Sequence, residues 1–498
     1  MNPGNNNKNK TRKPFDGKKE TRVYDKTKKN FDRKDGAFDR TKKDSFSKKT
    51  TSYDKPKKDD FQPKQTELTI EKLGNDFEGV AYVQGKRYLV DGALPKEKVK
   101  VTEIKKSGNI VICKLDEVKE KSPLRIVSPC KYSSECGACS FDYVDKENQR
   151  KLKTDLIKRR LNDYRDKVED IRFVDNATRN KIQFVLRGAS ENVEIGFFNS
   201  ETHKVVDIPE CLMHDSASYS AVRDALKLWC KKYGVIAYNP HRQRGNIRFA
   251  VVRLLNGAVS ITLVFYKQIE NGLDYLYSRL KEHFSYVSLN VNINDEISNA
   301  VFKGTPCYYM GEKELVSELS GIYYYYSAGD FLQTNTPICE QIYKDVVDIL
   351  VSEKVSSVVD AYSGIGITSV LFAKNRMKVT SVEISENAVE TAKKTAKLNK
   401  EQDIKFLSGD FSDAIEKIDV GANTAILVDP PRAGLGEKVC RKIIDKGFEK
   451  VLYLSCEPDT LVKDLSILTK NYSVNLVRPY DMFPSTKHIE TLVMLTKN

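Results

Sequence analysis

From residue 358 onward the chain reads as short, uninterrupted apolar runs alternating with helix-length segments, and no other feature restricts its fold so narrowly. Val358-Val359-Asp360 ends a strand, 365–373 opens a helix, 379–382 is the next strand and 387–398 the next helix. Further runs follow at 404–407, 425–428, 450–454, 474–477 and 491–495. A strand with one wet face alternates apolar and polar residues, so continuous runs belong to a sheet covered by helices on both sides. The expectation is a doubly wound α/β domain over 326–498, with ligands gathered at the carboxyl ends of a mostly parallel sheet.

The 498 residues leave room for about three domains. Residues 1–62 carry about twenty Lys and Arg against about ten Asp and Glu, set around isolated Phe and Tyr, so they hold much of the net charge of +14. Such a segment cannot bury a core and reads as a disordered basic tail, suited to attracting RNA. Over 63–127, five short β-like runs punctuated by Gly74, Gly79, Gly85 and Gly92 suggest a small closed β-barrel of the kind that binds oligonucleotides. Residues 128–325 read as a central α+β domain, with a charged helix at 145–161 and a longer helix near 216–233. No apolar stretch is long enough for a membrane span, and Met1 is not followed by an apolar leader, so a cytoplasmic location is expected.

Four strand ends of the last domain carry chemistry. Asp360-Ala361-Tyr362-Ser363-Gly364-Ile365-Gly366 makes the first strand-to-helix turn, and Glu383 follows the second strand where an acid can hold ribose hydroxyls. Ser369 stands where a full dinucleotide fingerprint has its third glycine. Together with Asp429 on a later strand end, the set fits an adenosyl cofactor such as S-adenosylmethionine better than NAD. Upstream, Gln333 and Asn335 lie in Phe331-Leu332-Gln333-Thr334-Asn335, although Asn335 equally suits a helix N-cap before Pro337. Cys456, in Ser455-Cys456-Glu457-Pro458, reads alone as a small buried residue. At a strand end beside an adenosyl site it reads as a nucleophile, with His488 and Glu490 available for proton transfer.

Cys130, Cys136 and Cys139 are spaced Cys-x5-Cys-x2-Cys, and Cys211 follows at a distance. Four thiolates hold either a tetrahedral zinc or a [4Fe-4S] cluster, and spacing does not choose between them. The remaining cysteines, Cys113, Cys230, Cys307, Cys339 and Cys440, read as packing residues.

In order along the chain, Phe331-Leu332-Gln333-Thr334-Asn335, the glycine turn, Asp429-Pro430-Pro431-Arg432-Ala433-Gly434, Ser455-Cys456-Glu457-Pro458 and His488-Ile489-Glu490 resemble the RNA uracil-5-methyltransferases. The likeness is to the bacterial 23S rRNA members in particular, with an N-terminal TRAM barrel and an iron-sulfur cluster. It runs from about residue 66 to the end. It implies a Rossmann-like class I methyltransferase domain preceded by a small TRAM/OB-like barrel and a central α+β domain. Gln333, Tyr362, Glu383 and Asp429 fall on S-adenosylmethionine contacts, Cys456 on the nucleophile and Glu490 on the general base. Cys130, Cys136, Cys139 and Cys211 fall on [4Fe-4S] ligands, which turns the metal choice to iron. Leu332 and Ser363 depart from the residues common at those places.

The implied reaction is methyl transfer to carbon 5 of a uridine in 23S rRNA by a monomer, through a cysteine adduct at carbon 6. The target base must then leave its stack, with Phe331 a candidate stacking platform if it is not a core residue. A tRNA uracil-54 methyltransferase is the alternative within the family. A non-catalytic RNA-binding iron-sulfur protein leaves Cys456 and Glu490 without a use, and an NAD-dependent oxidoreductase leaves Cys456 and the cysteine set unexplained.

Overall fold

The structure, a computed structural model, describes residues 63–296 and 300–498, and the basic tail at 1–62 lies outside the described residues. The first unit contains β1 (Gln65–Thr69), β2 (Lys72–Leu73), β3 (Gly79–Val83), β4 (Lys86–Val90), β5 (Lys98–Ser107) and β6 (Ile110–Glu120), hydrogen-bonded in the order β1-β5-β6-β4-β3-β2. β1 and β2 are nearly one stretch of chain. β1 pairs with β5 on one side and β2 with β3 on the other, while Ile70 N–H donates to Glu97 C=O at 2.9 Å and Glu71 N–H to Val80 C=O at 2.8 Å. The opening segment therefore joins both ends of the sheet and closes it around Leu68, Val90, Val99, Val101 and Val111. β5 and β6 form a long hairpin, with Val99 and Val101 buried toward its open end, Val111 and Cys113 buried nearer its turn, and residues 105–107 exposed.

Helix α1 (Lys146–Arg160) starts where Asp145 caps Asn148 N–H at 2.9 Å and ends in Lys158, Arg159 and Arg160, the charge order that the helix dipole favours. The central sheet has the order β13-β12-β11-β10-β7-β8-β9. It comprises β7 (Lys181–Arg187), β8 (Glu194–Phe198), β9 (Val205–Asp207), β10 (Ile247–Leu255), β11 (Ala258–Phe265), β12 (Tyr286–Ile293) and β13 (Cys307–Gly311). Helices α2 (Ser216–Tyr233) and α3 (Leu273–Lys281) pack on it through Tyr219, Trp229, Leu276 and Leu280.

The hairpin β14 (Leu315–Leu319) and β15 (Ile322–Tyr326) leads to α4 (Thr336–Ser352) and then to the last sheet. That sheet runs β18-β17-β16-β19-β20-β22-β21, from β16 (Ser357–Ala361), β17 (Lys378–Glu383), β18 (Ile404–Ser408), β19 (Thr424–Val428), β20 (Lys450–Ser455), β21 (Tyr472–Tyr480) and β22 (Glu490–Lys497). The connecting helices are α5 (Ile367–Lys374), α6 (Glu386–Leu398), α7 (Phe411–Ala414), α8 (Gly436–Lys446) and α9 (Pro458–Leu468). β16 to β20 are parallel, and β22 is antiparallel to both its neighbours. Val358 enters one core and Val359 the other, as do Leu427 and Val428, or Leu452 and Tyr453. Burial on both faces is why these strands read as continuous apolar runs.

Packing divides the chain differently from the boundaries at 128, 325 and 326. Phe141, Val144, Leu156 and Ile157 share a core with Val451, Tyr453 and Leu461, so α1 belongs with the last sheet. The β14–β15 hairpin packs with Ile338, Phe372 and Ala396, and Asn399 exchanges hydrogen bonds with the Tyr323 backbone. The charged face of α1 is visible in the sequence, but the partner of its apolar face is not. Among the described residues no helix is long and apolar enough to cross a membrane.

Candidate active site

The strand order reverses at β16, whose neighbours β17 and β19 diverge toward opposite edges, and the cleft opens at the carboxyl ends of these three strands. Tyr362 leaves β16 with φ +63°, a left-handed backbone that costs a bulky residue some strain and marks a constrained turn. Gly364 and Gly366 follow at φ +55° and +79°. Around Gly364 a Cβ would meet nothing within 4 Å, whereas at Gly366 it would come 2.7 Å from the Ala392 Cβ. Gly366 thus lets α5 close on α6, the packing role that the fingerprint's third glycine fills elsewhere. Ser369 instead joins Thr368 in donating to the buried Asp360 carboxylate, at 2.5 and 2.7 Å respectively. At the end of β17 the half-buried Glu383 accepts from Gly364 N–H at 3.0 Å and Ser385 N–H at 2.9 Å, which fixes its carboxylate on the cleft rim.

Gln333, Tyr362, Asp360 and Asp429 line one cavity. Gln333 Nε2 donates to Asp429 Oδ2 at 3.3 Å. The central sheet holds the Gln333 segment from behind. Asn180 Nδ2 donates to Gln333 C=O at 3.1 Å, and Arg253 donates to Leu332 C=O at 3.1 Å and to Asn180 Oδ1. Asn335 caps α4 through Ile338 N–H and donates to Met482 C=O at 3.2 Å, so it serves as a cap. Phe331 is 67% exposed at the cavity mouth, which removes the core reading for this ring.

Cys456 follows the last residue of β20, and Glu490 is the first of β22. Ser455 pairs with Thr491 in the antiparallel ladder, so the next step along it sets Cys456 beside Glu490. Asp429 stands at the same edge one strand away. Burial, then Glu490 and Asp429, pushes the half-buried Cys456 thiol up to about 11, with Arg432 opposing. Burial, then Asp360, pushes Asp429 up to about 7 against the Gln333 hydrogen bond. Glu490 is 2% exposed, its Oε1 has no hydrogen-bond partner among the described residues, and burial followed by Asp429 raises it well above the usual carboxylate range. Asp360, held up at about 6 by burial, completes a row of acids that the sequence motif contains without revealing its part. His488 is not beside them in the same way: it meets the Phe483 ring edge-on, and burial lowers its basicity. Two carboxylates lining a cavity with few cations suit a positively charged ligand, and the methyl donor S-adenosylmethionine is one.

The other cysteines meet elsewhere. Cys130, Cys136, Cys139 and Cys211, all half-buried, line a single cavity of about 500 Å³. Burial pushes Cys139 up to about 12 and raises Cys136 and Cys211, while Arg179 opposes each rise. Among the described residues no group of three or more His, Cys, Asp or Glu side chains is arranged to hold a metal ion. Asp481 and Ser485, from the loop that leads into β22, form part of the same wall. Lys153 on α1, fully buried, fixes that loop by donating to Asp481 Oδ1 at 2.6 Å and to Phe483 C=O at 3.1 Å.

Residues 234–498 match the sequence family of tRNA (uracil-5-)-methyltransferases. A protein of Listeria monocytogenes described as an uncharacterized RNA methyltransferase is 30% identical over 446 residues, covering 86% of this chain and 96% of its own length. A Bacillus anthracis protein of the same description is 29% identical over 442 residues, with 86% and 96% covered. Among solved structures, the Pyrococcus abyssi tRNA (uracil-54, C5)-methyltransferase in complex with S-adenosyl-L-homocysteine superposes with a TM-score of 0.69 at 22% identity, over 86% of this chain and 99% of that one.

Proposed function

The chain belongs to the tRNA (uracil-5-)-methyltransferase family and is an RNA uracil-5-methyltransferase that uses S-adenosylmethionine, and we propose that it acts on a uridine of 23S rRNA through a covalent Cys456 adduct. The observation that carries the mechanism is the placing of Cys456 beside the buried carboxylate of Glu490, whose Oε1 has no hydrogen-bond partner among the described residues, at neighbouring strand ends. Gln333, Tyr362, Glu383 and Asp429 hold the cofactor in this reading. When bound, S-adenosylmethionine supplies a methyl group made electrophilic by its sulfonium.

Carbon 5 of uracil is a weak nucleophile. Cys456 first gives its thiol proton to solvent, and addition of the resulting thiolate at carbon 6 gives an enolate with electron density at carbon 5, which can then be methylated. Glu490 next takes the carbon-5 proton, the C–H pair forms the 5,6 double bond, and the thiolate leaves. Both faces of the base must be reached, so the uridine leaves its stack and the exposed Phe331 ring offers it a surface. Cys130, Cys136, Cys139 and Cys211 would hold a [4Fe-4S] cluster that ties Cys211 to the segment around Cys130. Iron and sulfide content of the isolated protein, compared with a Cys211→Ser variant, tests that assignment.

The barrel and the cysteine set support the rRNA reading by resemblance to the TRAM-bearing rRNA members. A second reading, a tRNA uridine, is favoured by the likeness to a tRNA enzyme along 86% of the chain. Labelled S-adenosylmethionine offered with unmodified 23S rRNA and unmodified tRNA separates them. Label in rRNA as 5-methyluridine, absent with Cys456→Ala, is the expected result. Label in tRNA alone replaces the substrate and leaves the mechanism.

A further inference from the structure

Asp360, Asp429 and Glu490 stand at the ends of β16, β19 and β22, and the elements packed around them bring little positive charge. From α4 come Cys339 and Tyr343, both kept neutral because burial raises them. Tyr480, opposite Glu490 on β21, commits its hydroxyl to Asp345 at 2.8 Å, and Arg478 is likewise turned to Asp345 and Glu169. His488 is lowered by burial and Cys456 is a neutral thiol. Arg432, exposed after β19, opposes the acids from outside. Asp360 is satisfied by two hydroxyls, but Glu490 leaves one oxygen without a partner, and Asp429 has only the long bond from Gln333.

We propose that the acid pair of Asp429 and the buried Glu490 retains a proton in the free enzyme and that the positive charge of the bound methyl donor expels it, so the cofactor's charge sets when the base is ionised. This deepens the proposed function and rests on its assignment of the cleft to S-adenosylmethionine. The donor carries one more positive charge than its product, S-adenosylhomocysteine, and an opposite charge arriving beside two crowded carboxyls favours their ionised forms. Asp429, raised to about 7, is poised to lose its proton near neutral pH.

The timing then follows. Glu490 is ionised while the donor is bound. Once the methyl has moved to carbon 5 the sulfonium's positive charge and the enolate's negative charge are both gone, and the ionised Glu490 is left to take the carbon-5 proton. The C–H pair closes the ring double bond, and the C6–S pair returns to Cys456. Each turnover exchanges one methyl cation for one proton, and that proton leaves the acid pair for solvent when the next donor binds.

Binding-linked proton release tests this with the whole protein and without turnover. Calorimetric titration near pH 7, repeated in buffers of different ionisation heat, counts protons released with S-adenosylmethionine and with S-adenosylhomocysteine. The expected result is roughly one proton more for the donor than for the product. Glu490→Gln, which removes no residue lining the cofactor cavity, should still bind both ligands and lose most of the difference. Asp429→Asn should lose it as well, so the conclusion does not depend on the folding of one variant. Donor affinity should rise between pH 6 and 8 by up to about tenfold per unit while product affinity stays nearly flat. Equal proton release by both ligands overturns the proposal and leaves the function standing. Failure of the wild type to bind either ligand removes the cofactor site itself and this proposal with it.

Discussion

In the strand-end cleft the carboxylates other than Glu490 are each met by a neighbouring donor, whereas the four thiols of the cysteine cavity converge on one open space. Asp360 is held by Thr368 and Ser369, Glu383 by two backbone N–H groups, and Asp429 by Gln333, and the enclosed space is only about 50 Å³. The cysteine cavity is about 500 Å³ and its thiols face space. Register in one sheet places the acids and the thiol of the cleft, down to the step from Ser455–Thr491 to Cys456 and Glu490, and only the Gln333 segment is held from the central sheet. Nothing comparable places Cys211 against Cys139, which approach from separate loops. A site drawn from one sheet is assembled by folding, and a site drawn from distant loops depends more on what it binds.

Four substitutions probe that contrast. Cys456→Ala should lower methyl transfer by roughly 10⁴-fold or more and prevent a denaturation-resistant RNA complex, with the unfolding midpoint unchanged. A lowered midpoint would return Cys456 to a packing role. Glu490→Gln should slow turnover by about 10²–10⁴-fold while the RNA adduct accumulates on gels, since addition precedes proton removal. Lys153→Met leaves Asp481 buried without its partner and should cost about 3–5 kcal/mol in chemical denaturation. If the cavity and the cleft are independent, activity per folded molecule should survive that change. Phe331→Ala should weaken RNA binding by about tenfold, the worth of one stacked base, and leave the unfolding midpoint in place because the ring is exposed.

The pH dependence of stability distinguishes the regions too. Asp429 and Glu490 have raised proton affinities in the folded chain, so the folded state binds more protons than the unfolded one above the ordinary carboxylate range. Both contributions favour the folded state at low pH and are lost as pH rises, that of Asp429 through about 7. Substituting Asp429→Asn should flatten the fall in stability between pH 5 and 8, and a cysteine-to-serine change in the cavity should leave its slope alone.

Local rules make the cleft readable. The glycine turn, Asp429 and Cys456 each sit where an apolar run stops, and a run buried on both faces is visible in a single sequence. Asp360 lies in plain sight without an evident part, because only the fold reveals that Thr368 and Ser369 turn back to it. Phe331 reads either way, since exposure is decided by neighbours far along the chain. The same holds for Lys153. Its helix reads as charged on one side, and the burial of that one ammonium follows from Asp481, which arrives more than three hundred residues later. The β14–β15 hairpin has the pattern of the sheet before it and the packing of the helices after it, so its sequence assigns it to the wrong neighbour.

The segment that closes the barrel sets a limit on how far the chain can be trimmed. The described pairing begins at Gln65, so removing residues 1–62 breaks no strand pair among the described residues. Cutting on to residue 73 strips β1 from β5 and β2 from β3 at once. Two rows of amide groups are then left open on one small sheet, a template on which other chains can add strands. A soluble protein and an aggregating one would differ by about ten residues at the same end.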